Sequence, residues 1–407
     1  MEAVKLTNKK QINSLVFLFS ITYMISYMTR INYGAIIAEM QTALGYSKSL
    51  LSISLTGSFI TYGIGQIVSG IFGDKTSPKR LVMYGLSVTF LMNLLIIFCR
   101  TPYQMAIIWS VNGFAQSLMW PPIVKIMSAV LSDSDYTFAV NKVSWGSSIG
   151  TILVYLLAPI LISAFSWKAV FFASAVLAFA MIFIWNKFAY DVKIVPVNKE
   201  KSEVKKTGII TPFIIFAMIA IVLQGMLRDG VTTWMPSYVA ETFKLSNEIS
   251  ILTGVILPIF SILSFQLATE IYTRKINNLF VCAAIFFGIG AIAALGLSLL
   301  TNVSAAISIF MFAMLTGGMH GVNLMLICML PAYFKNTGKV STVSGLLNSC
   351  TYVGSAVSTY GIAVITEKFN WSVTILIWLA IASCGTIICT LCAKNWNKYK
   401  RKIGAET

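Results

Sequence analysis

Long apolar runs constrain this chain more than any other feature. A helix that crosses a bilayer needs about 20 predominantly apolar residues. Twelve stretches meet that requirement, at roughly 12–38, 49–73, 80–99, 103–130, 137–166, 168–190, 208–241, 247–270, 277–300, 303–333, 340–366 and 371–393. In hydrocarbon each backbone N–H and C=O must find a partner within the chain, so such runs fold as helices. The expected fold class is an all-α integral membrane protein of twelve transmembrane helices. Several runs exceed 20 residues, which predicts tilted or curved helices. Only 11% of the 407 residues are charged, less than half of the roughly 25% that a water-facing surface carries. A soluble enzyme, a disordered chain and a nucleic-acid-binding domain are excluded on that ground.

The net charge of +16 then needs a place. If residue 1 is inside, 22 of the 30 Lys and Arg residues fall on the cytoplasmic face and five on the other. Cytoplasmic loops of membrane proteins carry such an excess, so both termini are expected in the cytoplasm, in a bacterial plasma membrane. The start, MEAVKLTNKK, is short and polar, and the apolar run after it is too long for a signal-peptide core. No cleaved signal is expected. The seven cysteines form no metal or redox spacing and read as small buried hydrophobes. No cofactor or metal is implied.

Connections are short except at 191–207, a basic stretch that splits the chain six plus six. The expected organisation is a six-helix bundle over 1–190, a cytoplasmic linker over 191–207, a second bundle over 208–394 and a cytoplasmic tail over 395–407. The halves echo each other. TRINYGAIIAEMQTALGYSKS around Arg30 lines up with LRDGVTTWMPSYVAETFKLSNE around Arg228, and FSWKAVF with FNWSVTI, which matches Trp167 to Trp371. Two pseudo-symmetric bundles of one topology resemble the parallel repeat of the major facilitator fold, with its substrate site near the membrane midplane between the halves.

Three cations lie inside the apolar runs: Arg30, Lys125 and Arg228. A guanidinium in a span costs at least about 2.5–3.5 kcal/mol and normally faces the bundle interior or a water cavity. Arg30 and Arg228 hold matching places in the repeat. Opposed across a central cavity they would clamp an anion, each fork holding a phosphate or carboxylate bidentately. The competing reading is that each pairs with an internal carboxylate. Asp229 is the acidic residue nearest to Arg228, but adjacent helix positions point about 100° apart, so no direct pairing is expected. Glu39 is nine residues from Arg30, toward the outer end of its run.

The remaining candidates carry weaker signals. Lys125 follows Trp120-Pro121-Pro122 and either snorkels to the interface or serves as a ligand. The prolines remove two backbone donors and predict a kink. His320, the single histidine, sits between glycines in TGGMHGVNL. It reads equally as a packing residue or as a cavity residue that senses substrate protonation. Gln66, Asn112, Ser147, Gln224, Asn323 and Asn348 are intramembrane polar residues of the kind that usually joins helices. Asp74 with Lys75, Lys79 and Arg80 forms a charged turn suited to a conformational latch of ion pairs.

Taken together, Tyr27-Met28-Thr29-Arg30-Ile31-Asn32-Tyr33, Gly73-Asp74-Lys75-Thr76-Ser77-Pro78-Lys79-Arg80, Trp120-Pro121-Pro122 with Lys125, and Arg228-Asp229-Gly230 with Trp234-Met235-Pro236-Ser237-Tyr238 resemble the organophosphate:phosphate antiporter family of the major facilitator superfamily. Its members include bacterial glycerol-3-phosphate and hexose-phosphate transporters and endoplasmic-reticulum glucose-6-phosphate carriers. The resemblance implies that Arg30 and Arg228 bind the phosphate of either substrate. It also implies departures. The bacterial glycerol-phosphate carriers use a lysine and a histidine where this chain has Gln66 and Ser147, and an acidic residue is replaced by Thr233. The substrate-binding candidates are therefore Arg30, Arg228, Gln66, Ser147, His320 and Lys125. The latch candidates are Asp74, Lys75, Lys79 and Arg80.

The expected activity is exchange of an organic phosphate for inorganic phosphate by a monomer in the lipid bilayer, through rocker-switch alternating access. Two other activities share these features: a hexuronate-like carboxylate:cation symporter, and a sugar-phosphate sensor that does not transport. One histidine and scarce intramembrane acids leave an enzyme without a catalytic constellation.

Overall fold

A computed structural model describes residues 6–73, 76–189, 212–300, 303–330, 333 and 340–402. The basic stretch at 191–207, Asp74 and Lys75 lie outside the described residues. The spans form as rods, several of them interrupted. α1 (Lys9–Ala35) is capped by Asn8, whose side chain accepts the N–H of Lys10, and it passes through Ile36 into the short α2 (Ile37–Leu44). α3 (Lys48–Gly73) and α4 (Pro78–Leu95) follow, and the hydroxyl of Ser77 caps α4.

The fourth span breaks more sharply than a kink. α5 (Pro102–Ser117) stops, and α6 (Trp120–Val130) restarts with Pro121 and Pro122 in its first turn. A first turn has no intrahelical use for those N–H groups, so proline costs nothing there. α7 (Asp133–Ala164) and α8 (Trp167–Phe188) are continuous.

The second half repeats the plan. It comprises α9 (Pro212–Phe243), α10 (Asn247–Thr253), α11 (Ile256–Glu270), α12 (Leu279–Leu299), α13 (Ala305–Asn323), α14 (Val340–Lys368) and α15 (Trp371–Lys402). Single π-helical turns extend α11 over Ile271–Lys275 and α13 over Leu324–Met329. Trp167 and Trp371, matched in the sequence repeat, each open the last helix of their half. α15 runs on to Lys402.

Ten of these rods are long and apolar enough to cross a membrane, among the described residues. The two runs that miss the criterion have evident reasons. The α5–α6 span is cut into pieces of 16 and 11 residues. α14 carries a dense series of Ser, Thr and Gly (VSTVSGLLNSCTYVGSAVSTYG) that lowers its hydropathy.

The helices fall into two compact units. One holds α1–α8 together with α10; the other holds α9 and α11–α15. In the first, a core of Phe19, Met119, Ile123, Met127, Val143 and Trp185 is fully buried. α10 joins this unit through Asn247, whose Nδ2 donates to Glu39 Oε2 at 2.9 Å and to Thr42 Oγ1 at 3.2 Å. Four cysteines are buried as expected, but Cys99 is half-buried and Cys328 and Cys384 are exposed.

The repeat extends to how helices touch. In the first unit Gly150 of α7 lies beneath the carbonyl of Met24 on α1, where a Cβ would come within 2.4 Å of the oxygen. In the second, Gly354 of α14 lies beneath the carbonyl of Val222 on α9, where a Cβ would come within 2.0 Å. Met24 and Val222 each precede the arginine of their half by six residues. Small residues let helix backbones approach closely in a membrane. The same crossing therefore sets both arginine-bearing helices.

Gly354→Ala should destabilise the protein by about 1–3 kcal/mol, the usual range for overpacking. Gly361→Ala on the same helix, where nothing lies within 4 Å, should leave thermal unfolding in detergent unchanged or slightly raised.

Candidate anion-binding site

The two arginines within the spans, both half-buried, are housed by different means. On α1, Tyr23, Tyr27 and Arg30 are spaced four and three apart, so they share a face. The Arg30 guanidinium lies 4.3 Å from the Tyr27 ring centroid and 4.9 Å from that of Tyr62 on α3. Ring faces are electron-rich, and each such contact stabilises a cation by about 0.5–2 kcal/mol. The aromatic row continues from Tyr27 to Tyr23 at 5.1 Å and from Tyr23 to Trp120 at 4.8 Å. The Trp-Pro-Pro restart of α6 is thereby joined to Arg30, a connection the sequence motifs alone do not reveal.

Behind Arg30, α1 is fixed by a buried polar network. Asn32 Nδ2 donates to Asn93 Oδ1 at 2.9 Å and to Ser174 Oγ at 3.0 Å. Asn93 and Asn112 both donate to the Thr29 carbonyl, at 3.1 and 3.2 Å. Gln116 donates to Thr29 Oγ1 at 2.8 Å and accepts from Ser26 at 2.6 Å. Asn112 is thus a helix-joining residue. These bonds hold the backbone that carries Arg30, and their partners are themselves almost fully buried.

Gln66 lies one turn beyond Tyr62 on α3 and is 4% exposed. Its amide Nε2 is a buried donor without a partner among the described residues. Such an orphan costs free energy unless something accepts from it. Ser147, by contrast, spends its hydroxyl on the Ser144 carbonyl of its own helix at 2.7 Å. Lys125 is half-buried on α6. Of the latch candidates, Lys79 and Arg80 begin α4 and, with Met83 and Asn186, line a cavity of about 220 Å³. The indole of Trp185 donates to the Lys79 carbonyl at 3.0 Å, which anchors that corner.

In the second unit the expectation for Arg228 is overturned. Arg228 Nε and Nη2 donate to Asp229 Oδ1 and Oδ2, both at 2.8 Å. The side chains are only 14% and 18% exposed. The Cβ atoms do point apart, but arginine has enough rotatable bonds to fold back across the short carboxylate, and the two planar forks then match. Ser355 of α14 donates to Asp229 Oδ2 at 2.5 Å. Gln224, one turn before Arg228, bonds the Met319 carbonyl at 3.1 Å and joins α9 to α13.

His320 of α13 lies within electrostatic reach of both Arg228 and Asp229. Its Nδ1 is 2.9 Å from the Thr316 carbonyl and 3.0 Å from Ser261 Oγ. A carbonyl can only accept, so the hydrogen-bond network assigns a proton to Nδ1 and leaves Nε2 as the position that gains or lacks one. Cys328, in the π-helical turn after α13, is exposed and also within electrostatic reach of Arg228. Ser261 and Ser355 carry no sequence signal of their own; only the packing of α11 and α14 reveals them.

Comparison with known proteins gives the family and the fold. The family model of the Major Facilitator Superfamily matches residues 19–359. The chain is 26% identical to the glycerol-3-phosphate transporter of Bacillus subtilis, over 92% of this chain and 90% of that one. It is 28% identical to a probable hexose phosphate transport protein of Chlamydia muridarum over 40% of this chain, and there it spans about a third (36%) of the relative. The membrane sensor protein UhpC of Salmonella typhimurium is 20% identical over 86% of this chain and 84% of its own. Among solved structures, a bacterial homolog of the human lysosomal transporter Spinster superposes with a TM-score of 0.75 at 11% identity, covering 96% of this chain and 98% of that one. That likeness concerns the fold alone. The sequence relatives bear out the organophosphate:phosphate resemblance at the level of family, and family and fold are those of transporters, not of enzymes.

Asn93→Leu should destabilise the protein by about 1–3 kcal/mol, because it strands one buried N–H of Asn32 and removes one of the two amide donors to the Thr29 carbonyl. Thermal unfolding in detergent checks this.

Proposed function

This chain belongs to the Major Facilitator Superfamily, and from that premise we propose that it exchanges an organic phosphate for inorganic phosphate, with Arg30 and Arg228 acting on the same phosphoryl group. The observation that carries the proposal is the pair of half-buried guanidinium groups within the spans at matching places in the repeat, Arg30 against two aromatic rings and Arg228 against Asp229. Arg30 rests on the faces of Tyr27 and Tyr62, which stabilise its charge, and a guanidinium fork matches the oxygens of a phosphate. Gln66 adds a buried amide donor on the face that carries Tyr62. A phosphate has enough acceptor oxygens for all three.

In this reading the two six-helix halves rock about the bound anion. Empty, Arg228 is held by Asp229; an anion that engages both guanidinium groups permits closure. Exchange follows because the loaded carrier alone reorients, which requires that the anion bind the closed form better than the open one. Lys79 and Arg80, with Asp74 and Lys75, would form ion pairs in one state that break in the other. The bias of basic residues supports cytoplasmic termini in a bacterial plasma membrane, and a monomer suffices. The organic cargo is of the glycerol- or sugar-phosphate type, in line with the names of the relatives.

A second reading has one observation in its favour, the relative named as a membrane sensor. A sensor would bind the same phosphate and transport poorly. Reconstitution separates the two. Liposomes loaded with phosphate should take up labelled phosphate rapidly with the wild type. Arg30→Lys and Arg228→Lys should each lose about 1.5–3 kcal/mol of anion interaction, roughly a ten- to hundredfold fall in exchange. Near-normal exchange in both variants contradicts the clamp. Tight phosphate binding without exchange favours the sensor.

A further inference from the structure

The Arg228 fork is already occupied by a carboxylate of its own chain. Both N–H···O contacts to Asp229 are 2.8 Å, in side-on bidentate geometry. A phosphate that takes the same edge of the guanidinium must displace Asp229, and a charged Asp229 left beside a dianion would repel it. A proton on Asp229 removes both obstacles. We infer that Asp229 is a proton-binding counter-ion that competes with the anionic cargo for Arg228, so that anion binding in this unit is coupled to uptake of one proton. The inference rests on the proposed role of Arg228 in anion binding and adds the coupled ion to it.

The surroundings of Asp229 accommodate both of its states. With the carboxylate charged, Ser355 donates to Oδ2 at 2.5 Å. Ser355 Oγ is also 2.9 Å from the Thr351 carbonyl. Once Asp229 carries a proton, the hydroxyl can turn to Thr351 and accept the carboxylic O–H instead, so no polar group is stranded. The bonds balance. The proton comes from solution to an Asp229 oxygen, Arg228 stays a guanidinium, and its two N–H groups move from Asp229 to the anion.

Other titratable groups on the packed elements are few. α13 offers His320 and the turn after it Cys328, both within electrostatic reach of Arg228. α14 offers the buried Cys350 and Tyr352, and α15 the buried Cys389 and Cys392. His320 is the one whose ordinary range overlaps neutral pH, so it is the rival proton site. The repeat supplies an internal contrast, because the position matching Asp229 beside Arg30 is Ile31.

Sulfate is the probe, since it keeps its charge where carboxylates and imidazole titrate. Titration calorimetry of the purified full chain, repeated in buffers of different ionisation heat, gives affinity and proton uptake together. The wild type should take up close to one proton per sulfate, and its affinity should fall roughly tenfold per pH unit above the onset. Asp229→Asn should bind sulfate more tightly at neutral pH, with a flat profile and no proton uptake. Ser355→Ala, which keeps the ion pair and removes one donor to the charged form, should move the onset to higher pH. His320→Gln should keep the wild-type slope.

Binding that depends on Arg228 but shows no pH slope and no proton uptake overturns the coupling and leaves the anion site standing. A slope that persists in Asp229→Asn, or vanishes in His320→Gln, overturns it as well. Sulfate binding that survives Arg228→Lys, or its absence in the wild type, overturns the anion reading itself and the coupling with it.

Discussion

The structure depends on keeping two guanidinium groups charged inside predominantly apolar bundles. A buried cation needs a partner or a route to water, or its helix would not insert stably. Each unit solves this locally. In the first, the π faces of Tyr27 and Tyr62 flank Arg30, and an almost fully buried amide network holds the backbone behind it. In the second, the counter-charge is a carboxylate on the next residue, steadied by Ser355 from α14. Aromatic faces do not compete for the N–H edge of a guanidinium, whereas a carboxylate does. The two arginines are therefore equivalent in position and unequal in chemistry.

That inequality sits on a shared scaffold. Gly150 and Gly354 place the α1–α7 and α9–α14 crossings at the same distance from the arginine of each half. The sequence has diverged in the residues that line each arginine while the close helix contacts that position it are repeated. If both arginines engage one anion as proposed, the Asp229 carboxylate must give way on one side while the aromatic contacts of Arg30 can persist on the other.

Much of the fold was legible because bilayer length and the backbone hydrogen-bond requirement act on every residue of a span. Apolar run length located the helices, and Trp167 and Trp371 proved to be equivalent starts. Run length could not see where a rod breaks. The α5–α6 and α10–α11 interruptions depend on where prolines fall relative to a helix start: Pro121 and Pro122 in the first turn of α6, and Pro258 in the first turn of α11. Arg30 and Arg228 stood out because charge is rare in hydrocarbon. Their partners did not. Tyr62 and Ser355 are ordinary residues on distant stretches of chain, and only tertiary packing brings them in. The Arg228–Asp229 pair was misjudged from helix geometry because Cβ directions describe short side chains well and a long flexible one poorly.

The central claim is that these guanidinium groups select a tetrahedral phosphoryl anion. The most direct measurement is a thermal-shift comparison on the purified protein, with inorganic phosphate, glycerol phosphate, hexose phosphates and phosphoglycerates set against matched carboxylates without a phosphoryl group. The account predicts that inorganic phosphate and at least one organic phosphate raise the melting temperature in a saturable way while the carboxylates leave it unchanged. Stabilisation by carboxylates with indifference to phosphate would contradict it.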